Sequence, residues 1–215
     1  MESAAYDELM RKVNFIDPYL VTQVICKPEP AEPVDAQTGE QNYGMLDLPR
    51  DATIYDMGQG TGRLGKLLTE QGYTNIDGGD ASQSFVNTAS ASGWYQNCQV
   101  TWFGQGVEKL PPNLLAKYDL VMSTGCISRG HIPPEGFDDA HALLKTGGHF
   151  ITCIRKALYE PDCEYRQKLD ELEAADKLKM VRSWTFTRGI DKAVDPDYAK
   201  KWEGYLVERD DQEEV

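Results

Sequence analysis

The run Ile54-Tyr55-Asp56-Met57-Gly58-Gln59-Gly60-Thr61-Gly62 constrains this chain more than any other feature. Thr53, Ile54 and Tyr55 read as a short buried strand, an acid and three alternate glycines follow, and Leu64, Leu67 and Leu68 then recur at helical spacing. Glycines at such a junction let the backbone approach a ligand closely and take dihedrals that other residues avoid. The helix that starts there leaves its first N–H groups unpaired. In a doubly wound sheet this junction is where ligands sit, at the carboxyl ends of the strands.

The rest of the chain suits such a sheet. Ile76 marks a second strand, and Phe85, Val86 and Ala89 a second helix. Val100–Phe103 and Tyr118–Met122 read as further strands. Phe137, Ala140, His141 and Leu144 share one helical face. Lys145–Gly148 reads as a turn, His149–Ile154 as a strand, and Tyr165, Leu169, Leu172 and Leu178 as a longer helix. Strands near Val181–Phe186 and Tyr205–Glu208 would close the sheet as an antiparallel hairpin. Alternating strands and helices imply parallel pairing, because parallel neighbours need a long crossover. Before this region, Tyr6, Leu9 and Val13 suit one helical face, a second short piece follows Pro18, and four prolines in 28–51 imply a linker. The expected organisation is a helical lid and linker over 1–51, one domain over 52–208, and an acidic tail over 209–215.

Two registers of the glycine loop compete. Gly60-Thr61-Gly62-Arg63-Leu64-Gly65 matches the GxGxxG dinucleotide fingerprint. Asp56, Gly58, Gly60 and Gly62 instead form an acid followed by alternate glycines, which accounts for all four residues. An acid at the strand end suits a cationic or amine-bearing ligand better than a pyrophosphate. Asp80, in Asp77-Gly78-Gly79-Asp80-Ala81-Ser82, stands 24 positions later, where a carboxylate can accept both ribose hydroxyls of a nucleoside.

Charge narrows the partners. The 22 basic and 35 acidic residues leave a net charge of −13, which disfavours nucleic acid and anionic membranes as partners. No run approaches the length of a membrane span, and the start lacks a basic and apolar leader. Five scattered cysteines without a CxxC pair read as reduced thiols, which favours the cytoplasm; a monomer is expected. The three histidines have no metal-ligand spacing with cysteine, so no metal is expected.

Further strings carry a likeness. They are Glu108-Lys109-Leu110-Pro111, Tyr118-Asp119-Leu120-Val121 and Leu143-Leu144-Lys145-Thr146-Gly147-Gly148. With the glycine loop and Asp80, they resemble the class I S-adenosylmethionine (SAM)-dependent methyltransferases, with Thr146 in place of the usual proline. Gly125-Cys126-Ile127-Ser128-Arg129-Gly130-His131-Ile132-Pro133 is similar to a string of the Williams–Beuren-region subfamily. The resemblance implies a Rossmann-like α/β fold with seven mostly parallel strands, helices on both faces and a C-terminal antiparallel hairpin strand. It implies SAM as cofactor and a methyl acceptor that is a small molecule or a protein side chain. Carried over residue by residue, Asp56 lies beside the methionine ammonium, and Gly58, Gly60 and Gly62 line the methionine moiety. Asp80 holds the ribose, Ala81 packs on adenine, and Gly106 and Val107 form the adenine edge. Ser123, Thr124 and Gly125 face the methyl group. Two departures stand out: Gly106-Val107 replaces the acid that often contacts the adenine amine, and Gln59 replaces a frequent Cys or Ser.

Methyl transfer needs a base only where the acceptor must lose a proton. His131, a few residues past the fourth strand, is the candidate catalytic base. Cys126 reads as a packing residue, and His141 and His149 as structural. Two other functions fit parts of the sequence. A non-catalytic SAM-binding or partner-binding module fits the lack of a conspicuous catalytic constellation. A NAD-dependent oxidoreductase fits Gly60–Gly65 alone.

Overall fold

The computed structural model describes residues 3–12, 15, 17–25 and 46–183. The chain divides into two units. The described part of one is helix α1 (Ser3–Lys12), with the Phe15 N–H returning to the Met10 carbonyl at 2.9 Å. The other contains everything from Asp17 to the end of the described residues. Its first element, α2 (Asp17–Ile25), starts with Pro18 in its first turn, where the missing N–H is no loss, and buries Val21, Val24 and Ile25.

The order that follows is β1 (Ile54–Met57), α3 (Arg63–Glu70), β2 (Ile76–Asp80), α4 (Gln83–Ala91), β3 (Asn97–Val100), β4 (Tyr118–Thr124), α5 (Gly136–Leu143), β5 (Leu144–Cys153) and α6 (Glu164–Ala174). All strand pairs are parallel, in the spatial order β3-β2-β1-β4-β5. The chain steps outward from β1 through α3 and α4, then returns past β1 to build the other half through α5. The switch point is therefore the crevice between β1 and β4 at their carboxyl ends.

Alternation along β1 separates two cores. Tyr55 and Met57 face one side with Tyr118, Val121, Phe137, Leu143, Tyr165 and Leu172. The Tyr55 and Tyr118 ring centroids are 4.8 Å apart there. The neighbouring positions Ile54 and Asp56 face the other side, where α2 packs against α3 and β4, and α4 lies over β2 and β3. A bulge in β4 reconciles the faces. Asp119 and Leu120 both donate to the Thr53 carbonyl, at 2.9 and 3.2 Å, which turns Tyr118 toward the Tyr55 side.

Three expectations need correction. The described residues contain five strands, not seven. Residues 181–183 form no strand, and the remainder of the expected hairpin, with the acidic tail, lies outside the described residues. The third strand lies at Asn97–Val100 instead of Val100–Phe103. Its last ladder bond runs from the Thr101 N–H to the Asp80 carbonyl at 3.0 Å; β2 ends there, so residues 102 and 103 have no partner strand despite their β-forming side chains. Finally, Lys145–Gly148 does not separate two elements. Tyr118 pairs with Leu144 and Leu120 with His149, so this stretch is an irregularity inside β5.

Candidate functional site

At the end of β1 the chain enters the glycine loop, and Gly58, Gly60 and Gly62 take φ values of +77°, +54° and +96°. Side chains would strain all three positions. Gly58 has a second reason: a Cβ there would overlap the sulphur of Cys126. The Gly58 and Gln59 N–H groups donate to the Gly79 carbonyl at 2.8 and 3.2 Å, which lays the loop across the end of β2.

This brings the two predicted acids together. Asp80 Oδ2 accepts the Gly60 N–H at 3.0 Å and Oδ1 accepts the Ser82 N–H at 2.8 Å. A carboxylate offers about four acceptor positions, so two backbone bonds leave room for a ligand's hydroxyls. Ser82 then caps α4 by accepting the Phe85 N–H at 3.4 Å. Asp56 is 1% exposed. Its Oδ2 accepts the Tyr95 hydroxyl at 2.6 Å, and its Oδ1 has no hydrogen-bond partner. Burial pushes the Asp56 carboxyl up to about 7, and the Asp80 charge adds to this, while the Tyr95 hydrogen bond opposes it.

The loop after β4 forms the facing wall. Ser123 is wholly buried, with its hydroxyl 2.9 Å from the Cys126 sulphur, and that thiol donates to the Met57 carbonyl at 3.1 Å. Burial pushes the Cys126 thiol up to about 12, so it is a neutral donor that ties this loop to β1. Thr124, half-buried, ends the strand. The loop folds back on itself: the Ile132 N–H reaches the Cys126 carbonyl at 2.9 Å and the His131 N–H the Ser128 carbonyl at 3.0 Å. Tyr165 of α6 donates to the Ile132 carbonyl at 3.2 Å, and Arg129 grips both Glu164 oxygens at 3.0 and 3.1 Å. His131 is exposed on this anchored loop.

The segment after β3 supplies a third edge. Gly106 has φ +105° and Val107 opens a short 3₁₀ turn (Val107–Lys109); both are half-buried, and Ala81 is exposed. The segment is braced by the Gly104 N–H on Asp139 Oδ2, and Pro133 occupies the space a Gly104 side chain would need. Among the described residues no group of three or more His, Cys, Asp or Glu could hold a metal ion. No helix of the described residues is long and apolar enough to cross a membrane.

Sequence reasoning missed Tyr95 and the Arg129–Glu164 pair. Tyr95 did leave a signal, because glycine stands at Gly65 inside a helix, where side chains normally pack.

A parallel doubly wound sheet with an acid-led glycine loop at its switch point, and a second acid ending the adjacent strand, is an arrangement that suits a nucleoside ligand bearing an amine. Residues 54–148 match the model of a family described as the methyltransferase domain. The chain is 28% identical over 144 residues to human methyltransferase-like protein 27, across 65% of this chain and 56% of that protein. The chain thus spans little more than half the length of that curated relative. Solved structures similar to it include a SAM-dependent methyltransferase of Methanococcus maripaludis, described as putative (19% identity, 81% of this chain and 70% of that one, TM-score 0.47). Another is a TehB-like SAM-dependent methyltransferase of Corynebacterium glutamicum (18% identity, 58% and 66% covered, TM-score 0.43).

SAM is the expected cofactor of this domain class. The residues present fit it. A buried carboxylate oxygen lacks a partner at Asp56, a second carboxylate has acceptor positions left at Asp80, and a loop with glycine at alternate positions lies between them.

Proposed function

We propose that this protein transfers a methyl group from SAM to a small-molecule acceptor. The unpartnered Oδ1 of Asp56, beside a glycine loop tied to Asp80, is the observation that carries the reading. The cofactor supplies an activated methyl on a sulfonium, which leaves by in-line displacement. The chain's own part is to bind, orient and exclude water. Asp56 pairs with the ammonium group, the Gly58–Gly62 backbone lines the methionine chain, and Asp80 accepts the ribose hydroxyls. Ala81, Gly106 and Val107 flank the adenine, and Ser123, Thr124 and Gly125 form the floor at the methyl end. His131, on the loop pinned by Arg129 and Glu164, takes a proton from acceptors that must lose one. Residues 1–51 act as lid and linker to a catalytic domain over 52–208, with 209–215 as a solvated tail, and the protein works as a cytoplasmic monomer.

Calorimetric titration with SAM and, in parallel, NAD tests the cofactor. Wild type should bind SAM, and Asp80→Ala should bind it at least tenfold more weakly. Binding of NAD without SAM would reject the reading. Turnover of labelled SAM with fractionated metabolites then identifies the acceptor, and labelling of protein alone would move the acceptor from small molecule to side chain.

A further inference from the structure

Tyr95 follows α4 and belongs to none of the strings that mark the domain, yet the start of α3 makes room for its ring. A Cβ on Gly65, in the first turn of α3, would overlap the Tyr95 Cζ. A Cβ on Gly62 would stand 3.0 Å from its Cε2, whereas one on Gly78 of β2 would first overlap the Gln59 side chain and only then approach the Tyr95 ring. Glycine is costly inside helices, so a ring that demands it at Gly65 has an influence beyond filling space.

The ring's single polar atom is used twice. The Tyr95 hydroxyl donates to Asp56 Oδ2 at 2.6 Å and accepts the Gly65 N–H at 3.0 Å. That N–H is one of those a helix leaves without an internal partner, and Gly62 offers no side chain to cap it. Tyr95 therefore caps α3 from a distance and holds Asp56 with the same atom. Asp56 Oδ1 is the oxygen left over.

We propose that Tyr95 is the positioning residue of the cofactor site: its hydroxyl fixes the orientation of Asp56, leaves Oδ1 for the cofactor's ammonium group, and sets the pH range over which the site binds it. The proposal rests on the SAM reading above. Besides Tyr95, the titratable groups among the described residues that act on Asp56 or feel its charge include Asp80 at the end of β2, Tyr55 on β1, Cys98 on β3 and Cys126 after β4. Asp80 favours the protonated carboxyl and Tyr95 the ionised one. Burial and the Asp56 charge hold the Tyr95 phenol well above its usual value, so it remains a donor across the working range.

Tyr95→Phe keeps the ring and removes only the hydroxyl. Carbon-13 NMR of the Asp56 carboxyl, in the cofactor-free protein, should show a titration midpoint about 1–2 pH units higher in the variant. SAM affinity at pH 7 should fall tenfold or more, and KM for SAM should rise with kcat at saturating SAM little changed. A merely structural tyrosine would lower the melting temperature and leave the Asp56 midpoint where it was; an unchanged midpoint overturns the proposal. Should the phenylalanine variant fail to fold, 3-fluorotyrosine at position 95 donates more strongly and must shift the midpoint downward, and no downward shift is equally fatal. If wild type binds no SAM at any pH, the methyltransferase reading fails, and the cofactor-free titration still decides whether Tyr95 governs Asp56.

Discussion

Asp56→Asn should make the cofactor-free protein more stable at neutral and alkaline pH while it damages cofactor binding. The Asp56 carboxyl is buried, has one donor for its two oxygens, and titrates near 7 instead of its ordinary 3.8. The native state therefore holds a proton that the unfolded chain has already lost. Stability is fully present below pH 3.8, declines as pH rises, and is flat again above about 7. The loss across that window is about 4 kcal/mol, as an upper bound for a buried site. For a domain of this size that corresponds to a fall of roughly 10 °C in melting temperature. Asparagine has nearly the same shape and no charge to bury. At pH 5 the two proteins should melt within a few degrees of each other, and at pH 8 the variant should melt roughly 10 °C higher. The difference between the proteins is the observable, because it cancels the self-repulsion of a chain with net charge −13. SAM affinity of wild type should improve about tenfold per pH unit up to pH 7 and then level off, as the cation displaces one proton. Calorimetry in buffers of different ionisation heat reads that proton directly. A melting difference that is the same at pH 5 and pH 8 would refute the argument, as would a wild type that gains on the variant with rising pH.

Two further outcomes test the surrounding framework. Gly65→Ala should lower stability by about 1–3 kcal/mol, read by urea unfolding, although alanine is the better helix former, because the added methyl overlaps the Tyr95 ring. Asp77 accepts Lys117 Nζ at 2.6 Å, Asn97 Nδ2 at 2.8 Å and the Tyr118 hydroxyl at 2.9 Å. Burial raises its carboxyl, but those three bonds together hold it below its usual value. Its contribution is thus present above pH 3.8 and lost as pH falls below it. Asp77→Ala should cost about 2–4 kcal/mol at pH 7 and less at pH 3, measured by the same unfolding series.

What could be read without coordinates follows the range of the interactions. The glycine loop, Asp56 and Asp80 were legible because strand, turn and helix signals are local, and their meeting follows from parallel topology. β3 was misplaced because its edge position makes it polar, Asn-Cys-Gln-Val, while the apolar residues beyond it have no strand to pair with. Tyr95 was invisible as a site residue because its two bonds reach back 39 and 30 positions to Asp56 and Gly65. Its imprint, however, lies in the sequence as a glycine inside a helix, at Gly65. This resolves the competing registers of the loop. In a dinucleotide fingerprint the last glycine serves close packing of helix on strand. Here Gly65 gives its space to a tyrosine, while Gly60 and Gly62 are glycine because of their positive φ. The match to GxGxxG is therefore two unrelated requirements that happen to fall three residues apart. The register led by Asp56 is the one whose every position has a physical reason: an acid with an oxygen to spare, and three glycines at which a side chain would strain the turn.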